Sequence, residues 1–226
     1  MNELRVRLTW ALISLVIGTV VSFTFAESLL RFLIAPYSGR LQTLSPTEGI
    51  ETYFKVALVA GAVLAMPLIL YQLWLFIAPA LERPEKRYVY VFVPSATLLF
   101  LLGIAFAWLV LLPAAILFLS DFLPTIFAPE WTGREYLSFT TTFLFWIGVS
   151  FEMPLIIFFL ARVGLVNATT LRQQWRAAVV IIAILAAAVT PSIDPVTMLL
   201  TMAPLLILYA FSIFLARVGQ RRFDRQ

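Results

Sequence analysis

Long apolar runs fill this chain from end to end, and they constrain its fold more than any other feature of the sequence. A membrane-spanning helix needs about 20 mostly apolar residues, and most of the runs approach or exceed that length. None of them alternates with a period of two, which argues against an outer-membrane barrel. We therefore predict an all-α integral membrane protein with six transmembrane helices, over residues 8–26, 54–77, 88–119, 141–161, 177–189 and 196–215.

The composition agrees with a bilayer as the solvent. Hydrophobic residues make up 62% of the 226 residues, charged residues make up only 12%, and the mean hydropathy is +0.98. A soluble domain carries about 25% charged residues, so this chain lacks the charge to cover a surface that faces water. No polar block separates the apolar runs, which predicts a single membrane domain over residues 1–226.

Several classes of function are excluded by what the sequence lacks. It contains neither cysteine nor histidine, which removes disulfides, thiol and imidazole catalysis, and the usual zinc and haem ligands. It also has no Gly-rich phosphate loop and no G-x-S-x-G motif. We expect a protein that is not an enzyme and that uses no cofactor or metal. The pI of about 9.7 does not indicate nucleic-acid binding, because the basic residues sort by membrane side.

Lysine and arginine predict the orientation in the membrane. If the N-terminus faces the cytoplasm, four inner segments carry 12 of the 16 basic residues: 1–7, 78–87, 162–176 and 216–226. The positive-inside rule then predicts an even number of spans with both termini in the cytoplasm. We interpret the outer loops 27–53 and 120–140 as interfacial caps, with Trp131 and Tyr136 in an aromatic belt.

The predicted helices are curved, and one of them is short. A proline inside a span removes a backbone donor and bends the helix, and a curved set of helices can enclose a concave face. The run 177–189 reaches only about 20 Å, short of a hydrocarbon core of about 30 Å. Either the bilayer thins there or Arg176 snorkels from one end, and both interpretations stay open. The prolines inside predicted spans are Pro67, Pro94, Pro113, Pro154 and Pro204.

Glu152 is the outlier within the apolar runs. A charge at mid-membrane costs at least about 2.5–3.5 kcal/mol on insertion scales, so such a residue faces a polar cavity or stays protonated. Gln72, near the inner end of the second run, is a candidate neutral partner. The alternative is a structural role, in which a protonated Glu152 donates one interhelical hydrogen bond.

Acidic residues on the inner side oppose its basic trend. Glu3, Glu82 and Glu85 lie there among arginines and lysines. Carboxylates at these positions could bind an incoming basic group, ideally arginine through a bidentate pair. Local pairing with neighbouring cations is the alternative, and composition alone favours it.

Specific motifs connect these residues to a known family. Glu3-Leu4-Arg5-Val6-Arg7-Leu8 matches an ELRxRL motif, and Phe151-Glu152-Met153-Pro154 matches an FExP motif of a fourth span. Residues 190–195, Thr-Pro-Ser-Ile-Asp-Pro, match a last outer loop. Between the first two motifs stand Pro46, Phe54-Lys55, Gly61, Pro67, Tyr71-Gln72, Trp74, Phe76, Ala78-Pro79 and Glu85-Lys86-Arg87. Together these residues resemble TatC, the multispanning receptor component of the twin-arginine protein translocase.

Three positions depart from that family pattern. Met1-Asn2 stands where His-Leu usually precedes the glutamate, Met198 replaces a common glutamine, and Ala210 replaces a common acidic residue. The last two weaken inferences about the sixth span and leave the receptor motifs intact.

The resemblance implies a function and a site. A protein of this kind binds signal peptides with two consecutive arginines at the cytoplasmic face. Glu3 and Glu85 are then the arginine contacts, and Glu82 is a reserve candidate. The implied signal-peptide-binding set is Glu3, Arg5, Arg7, Glu85, Lys86 and Arg87, the implied loop positions are Pro46, Phe54, Lys55 and Asp194, and the implied polar residues within the membrane are Glu152 and Gln72.

The resemblance also implies partners and an energy source. It implies TatA/TatB-type single-span partners, self-association, six spans with short fifth and sixth helices, and transport of folded proteins driven by the proton-motive force. The membrane would be a cytoplasmic (inner) or thylakoid-type membrane. A small proton-coupled secondary transporter, with Glu152 as the coupling residue, is the alternative; it predicts inverted repeats, which the sequence does not show. A purely structural scaffold is a third class.

Overall fold

The computed structural model describes residues 2–37, 41–77, 89–122, 130–190 and 194–223. Within these ranges the chain forms ten α-helices and one π-helical turn, and its one extended pairing is an isolated parallel bridge between Gln42 and Thr132. The helices are α1 Asn2–Phe23, α2 Ala26–Ile34, α3 Glu48–Ile77, α4 Val89–Phe106, α5 Leu112–Ser120, α6 Gly133–Ser150, α7 Met153–Arg162, α8 Ala168–Gln173, α9 Trp175–Val189 and α10 Pro195–Phe223, and the π-helical turn is Ala107–Leu111.

Five stretches of the described chain are long and apolar enough to cross a membrane, by length and composition. They are Leu4–Phe23, Glu48–Leu75, Val91–Ser120, Gly133–Arg162 and Pro195–Gln220. The helix α9 is also apolar, but its 15 residues reach only about 22 Å. The all-helical membrane architecture is thus confirmed, whereas six crossings and the orientation of the termini stay predictions.

Two helices extend beyond the apolar runs predicted for them. The fourth apolar run was expected to begin at residue 141, and α6 already begins at Gly133, within the expected outer loop. The first turn of α6 is polar and is capped by Thr132, whose hydroxyl accepts a hydrogen bond from the Glu135 amide at 3.1 Å. The sixth run was expected over residues 196–215, whereas α10 has 29 residues, and the short sixth span that the resemblance implied stays a prediction.

The five prolines divide into two groups. Three stay inside helices, at Pro67, Pro94 and Pro204. The other two also lie inside candidate spans, as expected, at points where the helical path changes. Pro113 closely follows the π-helical turn, and Pro154 follows the turn at Phe151 and Glu152. A proline at such a point removes a backbone donor, which agrees with the expected local bending of the span.

Helix α6 forms the centre of the bundle. Its buried residues Tyr136, Phe143 and Ile147 belong to the largest core cluster, which also includes Leu33 of α2 and Leu112 of α5. Tyr136 is fully buried and donates a hydrogen bond from its hydroxyl to the Leu33 carbonyl at 3.0 Å. Its expected place in an aromatic belt is therefore wrong.

Helices α1 and α3 run antiparallel and touch at a pair of glycines. A Cβ atom added to Gly18 would lie 2.5 Å from the Gly61 carbonyl oxygen, and one added to Gly61 would lie 2.4 Å from the Thr19 Cα. Small residues permit this backbone approach, which is the usual means of helix association in lipid. Most apolar side chains of α1 remain exposed, so α3 is its main support.

Replacing Gly61 with alanine is expected to destabilise the protein by about 1–3 kcal/mol, because the added methyl group meets backbone atoms that cannot yield. Gly49→Ala is the matched control, since a Cβ there meets nothing within 4 Å. Thermal unfolding of both purified variants in detergent measures the difference. Equal melting temperatures for the two variants would show that the α1–α3 crossing is not tight.

Candidate functional site

The start of α1 packs against the end of α3, and we call this end of the bundle the N-terminal face, defined by residues 4–11 and 69–75. A cavity of about 180 Å³ lies between the two helices, and both Arg7 and Gln72 line it beside Leu4, Leu8 and Leu73. Arg7 is half-buried there, whereas Arg5 is exposed. A guanidinium and a side-chain amide thus share an otherwise apolar cleft that opens at the N-terminal face.

The remaining residues of the predicted signal-peptide site lie outside what the structure describes. These are the side chain of Glu3 and the residues Glu82, Glu85, Lys86 and Arg87. The helices on either side of residues 78–88 are described. Trp74 near the end of α3 stacks on Phe92 near the start of α4, with ring centroids 4.8 Å apart. The described residues on either side of 78–88 therefore lie at the same end of the bundle as the start of α1.

Glu152 lies at the junction of α6 and α7 and is buried, with 4% of its surface exposed. Phe151 and Glu152 form a turn between the two helices, and α7 begins at Met153, with Pro154 in its first turn. Within the described residues, the Glu152 Oε1 atom has no hydrogen-bond partner. Gln72 is not its partner in this part of the chain, since Gln72 lines the cavities between α1 and α3.

A polar cluster joins two loop segments at the other end of the bundle, which we call the opposite face, defined by residues 41–56 and 130–138. The carboxylate of Glu48 accepts hydrogen bonds from the amides of Leu44, at 2.9 Å, and Arg134, at 2.8 Å. Gln42 pairs with residues 131–133 through its backbone, and Arg134 forms an ion pair with Glu51. Sequence analysis missed Glu48, because its role requires contact between segments 86 residues apart.

The four predicted loop positions fall into four different settings. Pro46 is exposed in the turn before α3, and Phe54 makes an edge contact with Phe23 at 5.1 Å. Lys55 donates a hydrogen bond to the Ser138 hydroxyl. Asp194 is the N-cap of α10, where its Oδ1 atom accepts from the Thr197 amide at 2.6 Å. The structure does not bring these residues together into one site.

These features define an α-helical membrane protein with several candidate spans, polar clusters at both ends and a buried carboxyl within the bundle. Comparison with known proteins gives the family. The family model described as Sec-independent protein translocase protein (TatC) matches residues 1–204. The chain belongs to the TatC family, so the resemblance seen in the sequence is confirmed.

Individual relatives and solved structures agree. The Sec-independent protein translocase protein TatC of Helicobacter pylori strain 26695 is 37% identical over 96% of this chain and 86% of the relative. Those of Carboxydothermus hydrogenoformans and Aquifex aeolicus are each 34% identical, over 96% and 98% of this chain and 90% and 95% of the relatives. A crystal structure described as the twin-arginine translocase receptor TatC superimposes with a TM-score of 0.88, at 36% identity, over 96% of this chain and 98% of the other.

Proposed function

We propose that this chain is the receptor and core subunit of a twin-arginine protein translocase. It binds twin-arginine signal peptides at the N-terminal face and, with TatA/TatB-type single-span partners, exports folded proteins by using the proton-motive force. Family membership supports the translocase role, and the similar crystal structure is described as a receptor. Copies of the chain associate with one another in the assembled complex, and no cofactor takes part.

The observation that carries the receptor proposal is the antiparallel packing of α1 on α3. It puts the first turns of α1 beside residues 69–73 of α3, around the cavity that contains Arg7 and Gln72. Glu3 stands in the first turn of α1, and Glu85 stands in the segment that follows α3. The described helix ends that flank these two acidic residues lie at the same end of the bundle, which supports a shared site.

Two carboxylates suit the chemistry of the signal. Adjacent arginines of an extended peptide point to opposite sides, so one carboxylate cannot pair with both in good geometry. Arginine offers a planar fork that matches a carboxylate, whereas lysine offers a point charge. In this arrangement Glu3 and Glu85 each receive one guanidinium, and Arg5, Arg7, Lys86 and Arg87 provide the surrounding surface.

We propose six crossings with both termini in the cytoplasm of an inner or thylakoid-type membrane. The distribution of basic residues supports this topology, with 12 of 16 on the cytoplasmic side. The crossing to be added to the five long apolar stretches is α9, the fifth in chain order, which is about 22 Å long and so shorter than a hydrocarbon core of about 30 Å. A thinned bilayer beside α9 would lower the barrier to a large polar cargo.

Site-directed labelling tests this topology directly, because the chain has no cysteine of its own. Cysteines introduced as Arg83→Cys and Arg222→Cys are expected to react with a membrane-impermeant maleimide only from the cytoplasmic side. Thr132→Cys is expected to react only from outside, and the unmodified chain provides the unlabelled control. Labelling of Arg222→Cys from outside would contradict the six-span topology.

A proton-coupled secondary transporter is the second candidate, and buried Glu152 is the observation that favours it. A pull-down with a twin-arginine peptide, against a twin-lysine control, separates the classes. If the chain is a receptor, the twin-arginine peptide alone retains it. If it is a transporter or a scaffold, neither peptide retains it or both retain it equally.

A further inference from the structure

A polar cavity and an apolar groove adjoin each other between α3 and α6 near the opposite face. The polar cavity measures about 240 Å³, and its charged lining residues are Glu51, Lys55 and Arg134. The apolar groove measures about 220 Å³, and Thr141 is its one polar lining residue among the described residues. Val56 lines both and is 1% exposed, so the two spaces share this core residue as part of their walls.

The two spaces follow each other in depth along the same pair of helices. The polar cavity is lined by Lys55 of α3 and Ser138 of α6, whereas the groove is lined by Val59 and Val63 of α3 and by Phe145 of α6. Both helices run away from the opposite face, so the groove residues on α3 lie one and two turns deeper than Lys55, about 6–12 Å. The site is therefore polar at its mouth and apolar below.

One cation of the polar cavity has no carboxylate partner among the described residues. Arg134 forms an ion pair with Glu51, whereas Lys55 donates to the neutral hydroxyl of Ser138. Lys55 is therefore the cation that can pair with an anionic ligand. A serine that accepts from lysine keeps its own hydroxyl proton to donate, so Lys55 and Ser138 can both donate to one acceptor group.

We propose that this site binds one anionic phospholipid. Its phosphate accepts hydrogen bonds from Lys55 Nζ and Ser138 Oγ, and one acyl chain occupies the groove beside Val59, Val63 and Phe145. Lysine is an effective phosphate ligand. A phospholipid carries a phosphate at the membrane surface and an apolar chain below it, in the same order as the polar cavity and the groove. The inference concerns a different end of the bundle from the signal-peptide proposal and does not depend on it.

Native mass spectrometry of the delipidated full chain in neutral detergent tests this proposal. The probes are phosphatidylglycerol and phosphatidylcholine with identical acyl chains. One phosphatidylglycerol is expected to bind with about tenfold preference over phosphatidylcholine. Both lipids present a phosphate to Lys55, but the choline group of phosphatidylcholine carries a positive charge that Lys55 and Arg134 repel. Excess inorganic phosphate should not displace the bound lipid; its displacement by phosphate alone would overturn the lipid assignment.

Four variants locate the site. Lys55→Gln is expected to reduce the preference to about twofold or less, while Lys55→Arg retains it. Arg31→Gln is the matched control, because Arg31 is an exposed cation on α2 that pairs with Glu27. Ala60→Phe fills the groove and should weaken binding of both lipids several-fold. An unchanged preference in Lys55→Gln, or an equal loss in Arg31→Gln, would overturn the proposal.

Discussion

Glu3→Ala and Glu85→Ala, combined in one variant, are expected to abolish the preference of the chain for twin-arginine over twin-lysine peptides. Each charge-assisted contact contributes about 1.5–3 kcal/mol, which corresponds to at least about tenfold in affinity. Water at the membrane surface screens part of this, so each single variant should lose less, with Glu85→Ala the larger loss. Added salt should weaken binding to the unmodified chain for the same reason.

The measurement is the affinity of both peptides for each variant, by titration in detergent. Glu27→Ala is the matched control, because Glu27 is an exposed glutamate of α2 that pairs with Arg31, outside the N-terminal face. It should leave both affinities unchanged. If the double variant still distinguishes arginine from lysine, the recognition carboxylates lie elsewhere, and Glu82 is the next candidate.

Part of the fold could be predicted because the signals are local. The six apolar runs predict approximate helix positions. Helix α9 appears at the short apolar run, and α2 lies within the loop interpreted as an interfacial cap. The apolar runs misplace the start of α6 and do not explain the start of α10, but the sequence contains capping residues at both positions. Thr132 with Glu135 forms a capping pattern for α6, and Asp194-Pro195 forms an N-cap and first-turn pair for α10.

The contacts between distant segments could not be predicted. Gly18 and Gly61 meet across 43 residues of sequence. Gly61 belongs to the family pattern, but no motif pairs it with Gly18. In the sequence, Glu48 looks like an ordinary acidic residue of the first turn of α3. In the structure, its carboxylate accepts a hydrogen bond from the Arg134 amide at the start of α6. In both cases the role exists only after the tertiary packing has formed, so sequence pattern alone cannot show it.

Gln72 illustrates the same limit at the candidate site. Its depth in the second run made it a reasonable neutral partner for Glu152, because both residues are polar and lie within apolar runs. The depth of a residue in the membrane does not determine which neighbouring helix its side chain faces. Gln72 faces α1 rather than α6. The pairing of polar residues in a membrane bundle therefore requires the helix packing to be known.

Glu152→Ala is expected to impair assembly with the single-span partners while leaving signal-peptide binding intact. Glu152 is buried, and its Oε1 atom has no hydrogen-bond partner in the described part of the chain. An unsatisfied buried polar atom costs about 1–3 kcal/mol, so the isolated subunit gains little from it. A polar group supplied by a partner helix would satisfy it, and such contacts in membranes contribute about 0.6–1.7 kcal/mol.

The comparison of three variants tests whether the carboxyl serves the assembled complex. Glu152→Ala should reduce partner crosslinking by about threefold to twentyfold, whereas Glu152→Gln should retain partial transport, because a protonated glutamic acid and a glutamine are similar donors. Ser150→Ala is the control, since Ser150 bonds its own helix at the Trp146 carbonyl. A neutral glutamine side chain cannot release a proton, so full loss of transport in Glu152→Gln, with assembly intact, would favour proton coupling. Wild-type crosslinking and transport in Glu152→Ala would instead leave the residue with a structural role alone.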